Sequence, residues 1–192
     1  ELLLAQHGSG CLSESVVCLG TRKRQITLSD GTVIDILPLS ENLEIKDVSG
    51  FVHLAFLTRD KVADYGTEKY SFTNLSITSR AIELIETLQP NWIATVSSGA
   101  VLAYPGGPLE NNLQRNPYGF TKRVEETMLS NSASRIGAHI SNGRLWGAMG
   151  KYMPVNQAYA VSDFIVQAVK TNEIKIRSGN KVWRRYSDAA VF

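Results

Sequence analysis

Short apolar runs that alternate with helical patterns restrict the fold of this chain more than any other feature. The candidate strands are rich in Val, Ile and Phe with little polar alternation, as in strands covered on both faces. They are Ser15–Leu19, Gly31–Ile36, Phe51–Phe56, Trp92–Ser97 and the less apolar Ala138–Arg144. Strands that alternate with helices predict an α/β fold with a mainly parallel sheet.

Two helices are clear in the first 150 residues. One is predicted over Asn74–Leu88, where apolar residues recur on one stripe and Gln89-Pro90 ends the pattern. The other is predicted to begin at Asn116-Pro117, a capping residue followed by a proline suited to the first helical position. Phe120, Val124 and Met128 follow along it at four-residue spacing.

The pattern changes after Gly150. A helix is predicted near Ser162–Lys170 and a strand near Glu173–Arg177. We therefore predict one α/β domain over residues 1–150 and the start of a second region over residues 151–192.

Composition excludes several classes of protein. The 192 residues carry 20 Lys plus Arg against 18 Asp plus Glu, a balance that predicts no general binding to nucleic acid or membrane surfaces. No apolar stretch approaches the roughly 20 residues that a membrane-spanning helix needs. Cys11 and Cys18 cannot form a disulfide scaffold, so a reducing cytoplasm is expected. His7 and His139 lack partners at metal-site spacing, so no metal is expected, and His53 is expected to be a core residue.

A tyrosine and a lysine stand four residues apart at the predicted helix start, in Tyr118-Gly-Phe-Thr-Lys122. This spacing puts both side chains on one face of the helix, one turn apart. A nearby ammonium favours the phenolate and so lowers the pKa of a tyrosine from about 10. A tyrosine of this kind can act as a general acid or base. The spacing also occurs where a tyrosine merely lies beside a solvated lysine.

A strand that ends in hydroxyl groups strengthens the catalytic interpretation. Ser97 and Ser98 close the predicted strand, twenty residues before Tyr118. Ligands of doubly wound sheets bind at the carboxyl ends of the strands. A serine at that edge can donate a hydrogen bond to the substrate oxygen that Tyr118 protonates.

With these residues in place, the sequence resembles the extended branch of the short-chain dehydrogenase/reductase superfamily, which contains nucleotide-sugar epimerases, dehydratases and reductases. The resemblance covers almost the whole chain and implies a Rossmann-like doubly wound parallel sheet over residues 1–150. Residues 151–192 would begin a small substrate-binding region. Ser98, Tyr118 and Lys122 match the family's catalytic residues in order and spacing, and Asn74 matches a structural and proton-relay asparagine.

Further segments extend the resemblance to binding residues. Phe51–Phe56 is similar to the family's fourth strand, which implies cofactor contacts at Leu54 and Ala55. Asp35-Ile36 resembles a pair that contacts adenine. Tyr118 and Lys122 would also contact the cofactor, the lysine at its ribose. Two more segments resemble the end of the nucleotide-binding domain and the place where an arginine grips a sugar-nucleotide diphosphate: Arg144–Gly147 and, with Arg184, Val182–Tyr186.

The start of the sequence departs from the family. The family begins with a strand and a glycine-rich turn at a helix N-terminus, where backbone amides hold the pyrophosphate. Here Gly8 and Gly10 follow Glu1–Gln6, which has the pattern of a helix end. The first strand and its turn are therefore expected to be missing from this sequence. Since a βαβ fingerprint spans about 30 residues, we expect roughly 15 more N-terminal residues in the intact protein.

The residues that follow the first predicted strand, Ser15–Leu19, indicate which cofactor is bound. Thr21 and Arg22 stand where an acidic residue usually meets a free ribose 2′-hydroxyl, and an arginine accommodates a 2′-phosphate. This favours NADP over NAD. A solvated basic turn is the alternative.

The residues after Ser98 bear on the reaction. Family members that eliminate water to form a 4-keto-6-deoxy sugar carry an Asp-Glu pair there, whereas this chain has Gly99 and Ala100. A 4,6-dehydratase is therefore disfavoured. Reduction of a keto-sugar and epimerisation, both by hydride transfer, remain.

Two other functions stay open at this stage. The protein could be a ketone reductase on a non-sugar substrate, or a non-catalytic NADP-binding sensor or scaffold. The resemblance also implies a homodimer.

Overall fold

The structure is a computed structural model that describes residues 16–41, 45–150, 160–176, 179 and 186–188. The chain divides into two compact units, Glu1–Leu145 and Trp146–Phe192. The predicted domain boundary after residue 150 remains a prediction. No helix among the described residues is long and apolar enough to cross a membrane.

A parallel three-stranded sheet is the centre of the first unit. It consists of β4 (Gly50–His53), β5 (Trp92–Ser98) and β6 (His139–Leu145), with β5 in the middle. Ile93 of β5 lies opposite Phe51 on one side and Ile140 on the other. Because all three strands run the same way, their carboxyl ends meet at one edge of the sheet.

Three α-helices come after β4 and β5 along the chain. They are α1 (Lys61–Tyr65), α2 (Thr67–Leu88) and α3 (Pro117–Ile136). The buried apolar core joins α2 and α3 to β5 through Ile85, Ile93, Leu129 and Ala133. This packing confirms the predicted α/β class, with helices on the sheet.

A second small sheet contains β1 (Cys18–Gly20), β2 (Arg24–Thr27) and β3 (Val33–Pro38). β1 and β3 are parallel, whereas β2 is antiparallel to β3. The sequence patterns did not predict β2, because all four of its residues are exposed and none is needed in the core. Asp30-Gly31 is a hairpin signal that would have found it, and Gly31 has φ of 86° in that turn.

Within the described ranges, β1 pairs only with β3, and β4 pairs only with β5. The predicted helix end at Glu1–Gln6, with Gly8 and Gly10, lies outside those ranges.

Some predicted elements differ from the structure. The helix predicted from Asn74 begins at Thr67, because Gly66, with φ of 71°, precedes it and the polar first turns conceal its periodicity. β4 ends at His53, so the last three residues of the predicted strand form a loop. The strand predicted near Glu173–Arg177 is absent from residues 173–176, which are exposed and have no strand partner.

The second unit is described only in part. It contains β7 (Ala148–Met149), α4 (Ala160–Thr171) and β8 (Ser187–Asp188), and β7 and β8 are parallel. The predicted helix near Ser162–Lys170 corresponds to α4.

Candidate active site

The first turn of α3 carries Tyr118, and the second carries Lys122. Asn116 begins the helix as predicted: its side-chain oxygen accepts a hydrogen bond of 3.0 Å from the Gly119 amide, and Pro117 occupies the first turn. Tyr118 is half-buried and Lys122 is buried, with 6% of its surface exposed. Capping therefore fixes the helix start that holds the pair.

The Lys122 ammonium is fully engaged inside the protein. It donates a hydrogen bond of 2.8 Å to the Val96 carbonyl, near the end of β5. It lies 2.8 Å from Glu125 Oε2 and 3.7 Å from the centroid of the Phe56 ring. The ammonium is thus in contact with a carbonyl, a carboxylate and an aromatic ring.

Phe56 joins the two predicted catalytic side chains. Its ring packs edge-to-face on Tyr118, with centroids 6.0 Å apart, and on Tyr70, with centroids 6.4 Å apart. The same ring covers the Lys122 ammonium, an arrangement that is favourable for a cation on an aromatic face. From the sequence, Phe56 is only the last residue of a predicted strand.

Burial governs the proton equilibria of these groups. It lowers the pKa of Lys122, and the charge of Glu125 opposes that change. It raises the pKa of Tyr70, and the nearby Tyr118 raises it further. Tyr70 therefore stays protonated and donates its hydroxyl hydrogen to the Leu57 carbonyl at 2.7 Å.

Ser98 closes β5 and shapes the turn that follows. Its hydroxyl oxygen accepts a hydrogen bond of 3.1 Å from the Ala100 amide and so caps the short helical turn Gly99–Val101. This turn contacts the start of α3, because Asn116 Nδ2 donates to the Ala100 carbonyl at 3.2 Å. A Cβ added to Gly119 would lie only 2.0 Å from the same carbonyl oxygen. The turn after Ser98 and the helix start with Tyr118 are thus in direct contact.

Glu110 holds this arrangement from the other side, and the sequence carried no signal for it. Its carboxylate is buried, with 1% exposed, and accepts hydrogen bonds from the amides of Asn111 and Asn112. Arg115 and the Asn116 side chain also donate to it. These bonds lower the pKa of Glu110 despite its burial, so the carboxylate is ionised at neutral pH.

Asn74 lies inside α2 and is completely buried. Its Oδ1 accepts a hydrogen bond of 2.7 Å from the Leu57 amide, while Tyr70 binds the Leu57 carbonyl. Asn74 therefore holds the loop after β4 against α2, which is a structural role. Its part in a proton relay remains a prediction.

The predicted cofactor residues lie at the carboxyl ends of strands. Thr21 and Arg22 are exposed after β1, and Leu54 and Ala55 are exposed after β4, with 67% of Leu54 accessible. At the carboxyl edge of the parallel sheet, Leu54, Ala55 and Ser98 fit a dinucleotide, because such sheets bind one there. Thr21 and Arg22 follow β1, which belongs to the second sheet. The Phe56 ring covers Lys122, so we expect a cofactor contact there to displace the ring.

The adenine-contacting pair divides into one exposed and one buried residue. Asp35 is exposed and accepts a hydrogen bond of 2.9 Å from Gln25 Nε2, whereas Ile36 is buried in β3. Arg184, the predicted diphosphate residue, lies outside the described residues.

The structure defines a Rossmann-like α/β protein, and comparison with known families specifies the class. The model of the NAD dependent epimerase/dehydratase family matches residues 5–190, so the chain belongs to that family. The resemblance to extended short-chain dehydrogenases/reductases is thereby confirmed. No curated protein matches the chain significantly.

Solved structures share the fold at low identity. An NAD dependent NDP-hexosamine 5,6-dehydratase, TunA, is 18% identical with a TM-score of 0.69, covering 97% of this chain and 63% of its own. MoeE5 in complex with UDP-glucuronic acid and NAD is 23% identical with a TM-score of 0.66, covering 94% and 64%. UDP-glucose 4-epimerase from Thermotoga maritima is 17% identical with a TM-score of 0.62, covering 73% and 48%. The chain thus spans about half to two thirds of the length of these proteins.

Proposed function

We propose that this chain is part of an enzyme that transfers hydride between a nicotinamide cofactor and a nucleotide sugar. The enzyme would be an epimerase or a reductase. The observation that carries the proposal is the α3 start. There Tyr118 and a buried Lys122 share the Phe56 ring, and the turn after Ser98 contacts the same helix start. The solved relatives include an epimerase bound to UDP-glucose, which supports a nucleotide sugar as the substrate class.

Each residue has a role in this proposal. Tyr118 moves a proton on or off the sugar hydroxyl or carbonyl. Lys122 supplies positive charge near the phenol, and Ser98 donates a hydrogen bond to the same substrate oxygen. The nicotinamide supplies the redox chemistry. Asn74 supports the loop after β4.

The turn after Ser98 supports hydride transfer without loss of water. Gly99 and Ala100 form that turn, and neither side chain can exchange a proton. A 4,6-elimination needs an additional acid and base, so we propose that this enzyme does not perform it. Solved structures with a similar fold include dehydratases. Identification of the sugar product therefore tests this point directly.

The decisive experiment incubates the protein with each oxidised and reduced cofactor and a panel of nucleotide sugars. A net change in nicotinamide absorbance identifies a reductase, and an altered sugar without net change identifies an epimerase. Tyr118→Phe should reduce turnover by about 10² to 10⁴-fold, because it removes the proton donor but leaves the ring. Unchanged turnover in this variant, or a 4-keto-6-deoxy product, would contradict the proposal.

Cofactor choice is a separate part of the proposal. Arg22, exposed after β1, favours a cofactor with a 2′-phosphate, although relatives such as MoeE5 have NAD bound. We propose NADP as the preferred cofactor, with NAD as the alternative. The dissociation constants of the two oxidised cofactors decide this, and tighter binding of NAD would contradict it.

A further inference from the structure

Three buried ionisable side chains meet behind the candidate acid/base pair. His53 of β4 is 5% exposed, and Lys122 and Glu125 of α3 are 6% and 2% exposed. The proposed function uses only the lysine. Glu125 follows it by three residues, so both side chains lie on one face of the helix.

The Glu125 carboxylate faces two nitrogen groups at once. Its Oε2 is 2.8 Å from Lys122 Nζ, and its Oε1 is 3.1 Å from His53 Nε2. The second contact lacks the direction of a hydrogen bond, and neither Oε1 nor Nε2 has another hydrogen-bond partner among the described residues. His53 is therefore a second electrostatic neighbour of the carboxylate.

We infer that Glu125 is a positioning residue, whose buried carboxylate keeps the Lys122 ammonium charged and fixed one helical turn from Tyr118. Burial of a lysine side chain away from water favours the neutral amine, unless a nearby anion stabilises the ammonium. Glu125 is the anion in direct contact. The Val96 carbonyl and the Phe56 ring then fix the direction of the ammonium.

Other ionisable groups act on this cluster from each packed element. His53 faces it from β4. The charges of Tyr118 and Glu125 also raise the pKa of Tyr70 on α2. Glu126 of α3 also favours the charged Lys122, but its carboxylate is bound by Arg144 of β6. Glu126 is thus a natural comparison, since it has the same charge, one residue further along and with a different partner.

The effect on catalysis rests on the proposed function, whereas the charge of Lys122 can be measured without turnover. Without Glu125, the buried lysine would lose its proton at lower pH, and a neutral lysine no longer stabilises a Tyr118 phenolate. The pH at which sugar oxidation reaches half its maximum kcat/KM should then rise.

The test follows Lys122 directly by NMR of protein labelled with ¹³C at the lysine Cε, with the signal assigned by its loss in Lys122→Met. In the wild type, Lys122 should remain protonated at neutral pH. Glu125→Gln, which keeps the shape but removes the charge, should lower the pKa of Lys122 by at least about one unit. Glu126→Gln should change it by less than half as much, and Glu125→Asp should restore most of the wild-type value.

Three outcomes would overturn the inference: a neutral Lys122 at pH 7 in the wild type, no shift in Glu125→Gln, or an equal shift in Glu126→Gln. The wild-type measurement decides the matter even if Glu125→Gln does not fold. A protein that passes these tests but transforms no nucleotide sugar would refute the proposed function alone.

Discussion

At the scale of single residues, the site is governed by what covers the Lys122 ammonium. Phe56 lies 3.7 Å from it and removes it from solvent, and the ring also contacts Tyr118. We expect a cofactor ribose that contacts Lys122 to displace this ring. The cost of moving Phe56 must therefore be subtracted from the free energy of cofactor binding.

We expect Phe56→Ala to bind the oxidised cofactor more tightly, by about threefold to tenfold, because the ring no longer has to be displaced. The free energy of unfolding should fall by about 3 kcal/mol, since the variant leaves a cavity. Calorimetric titration measures the first effect and urea unfolding the second. Phe56→Leu, which retains apolar bulk, is the control, and weaker binding in Phe56→Ala would show that the ring does not obstruct the site.

At the scale of elements, the start of α3 depends on a close approach to the turn after β5. Gly119 permits it, because an added Cβ would lie 2.0 Å from the backbone oxygen of Ala100. The Asn116 cap and the Glu110 carboxylate hold the same junction. A change in this spacing moves Tyr118 relative to Ser98.

Gly119→Ala should lower the free energy of unfolding by about 1–3 kcal/mol, since backbone atoms must move to admit the methyl group. It should also lower kcat by more than stability alone explains, because the first turn of α3 shifts. Gly143→Ala is the matched control, since its added Cβ would meet only the Thr95 oxygen at 3.5 Å. Equal losses in the two variants, measured by urea unfolding, would contradict the argument from contact.

Arg144 of β6 forms a bidentate ion pair with Glu126 of α3. Its Nε and Nη2 donate to the Glu126 oxygens at 2.9 and 2.7 Å. Burial alone would raise the pKa of Glu126, but the hydrogen bonds and charge of Arg144 outweigh it and lower that pKa. A lowered pKa in the folded state means that stability is gained above the unfolded value, about 4.3, and lost as pH falls through the folded value.

Glu126→Gln should therefore lower the free energy of unfolding at pH 7 by about 1 kcal/mol, a modest figure because Arg144 is partly exposed. The difference from the wild type should shrink as the pH falls through the lowered pKa of folded Glu126, because the carboxylate is then protonated in both states. Urea unfolding over a series of acidic pH values measures it. Glu83→Gln, in the exposed pair with Arg80, should change stability by less than about 0.5 kcal/mol. A loss in Glu126→Gln that is independent of pH would contradict the electrostatic explanation.

At the scale of the whole molecule, apolar side chains on α2 and α3 bear on whether the protein associates with a second copy. Phe72 of α2 is 72% exposed, and the predicted apolar stripe of α3 (Phe120, Val124 and Met128) is only half-buried. The buried face of α3 is instead largely polar, with Thr121, Lys122, Glu125 and Glu126. Family resemblance implied a homodimer, and the exposed Phe72 on α2 is an apolar group that such an association could cover.

We expect the protein to have the mass of a homodimer in light scattering at micromolar concentration. Phe72→Ser should weaken the dimer, since it removes exposed apolar area without touching the core of the subunit. Thr73→Ala, at the next position on α2, is the control and should leave the mass unchanged. A monomer at every concentration would show that the family's association does not extend to this chain.

Several features of this protein followed from local pattern alone. The α/β alternation, the cap at Asn116 and the helix end at Gln89 are short-range effects, encoded within a few neighbouring residues. The spacing of Tyr118 and Lys122 is likewise a property of one helix.

Contacts between distant segments decided the rest. His53 and Phe56 belong to a stretch of sequence far from Lys122 and Glu125, and no local pattern indicates that the two stretches meet. Glu110 is an ordinary loop acid until the fold buries it against Asn116. Helix periodicity placed a charge beside a phenol, but only packing removed the water from that charge and chose the groups that replace it.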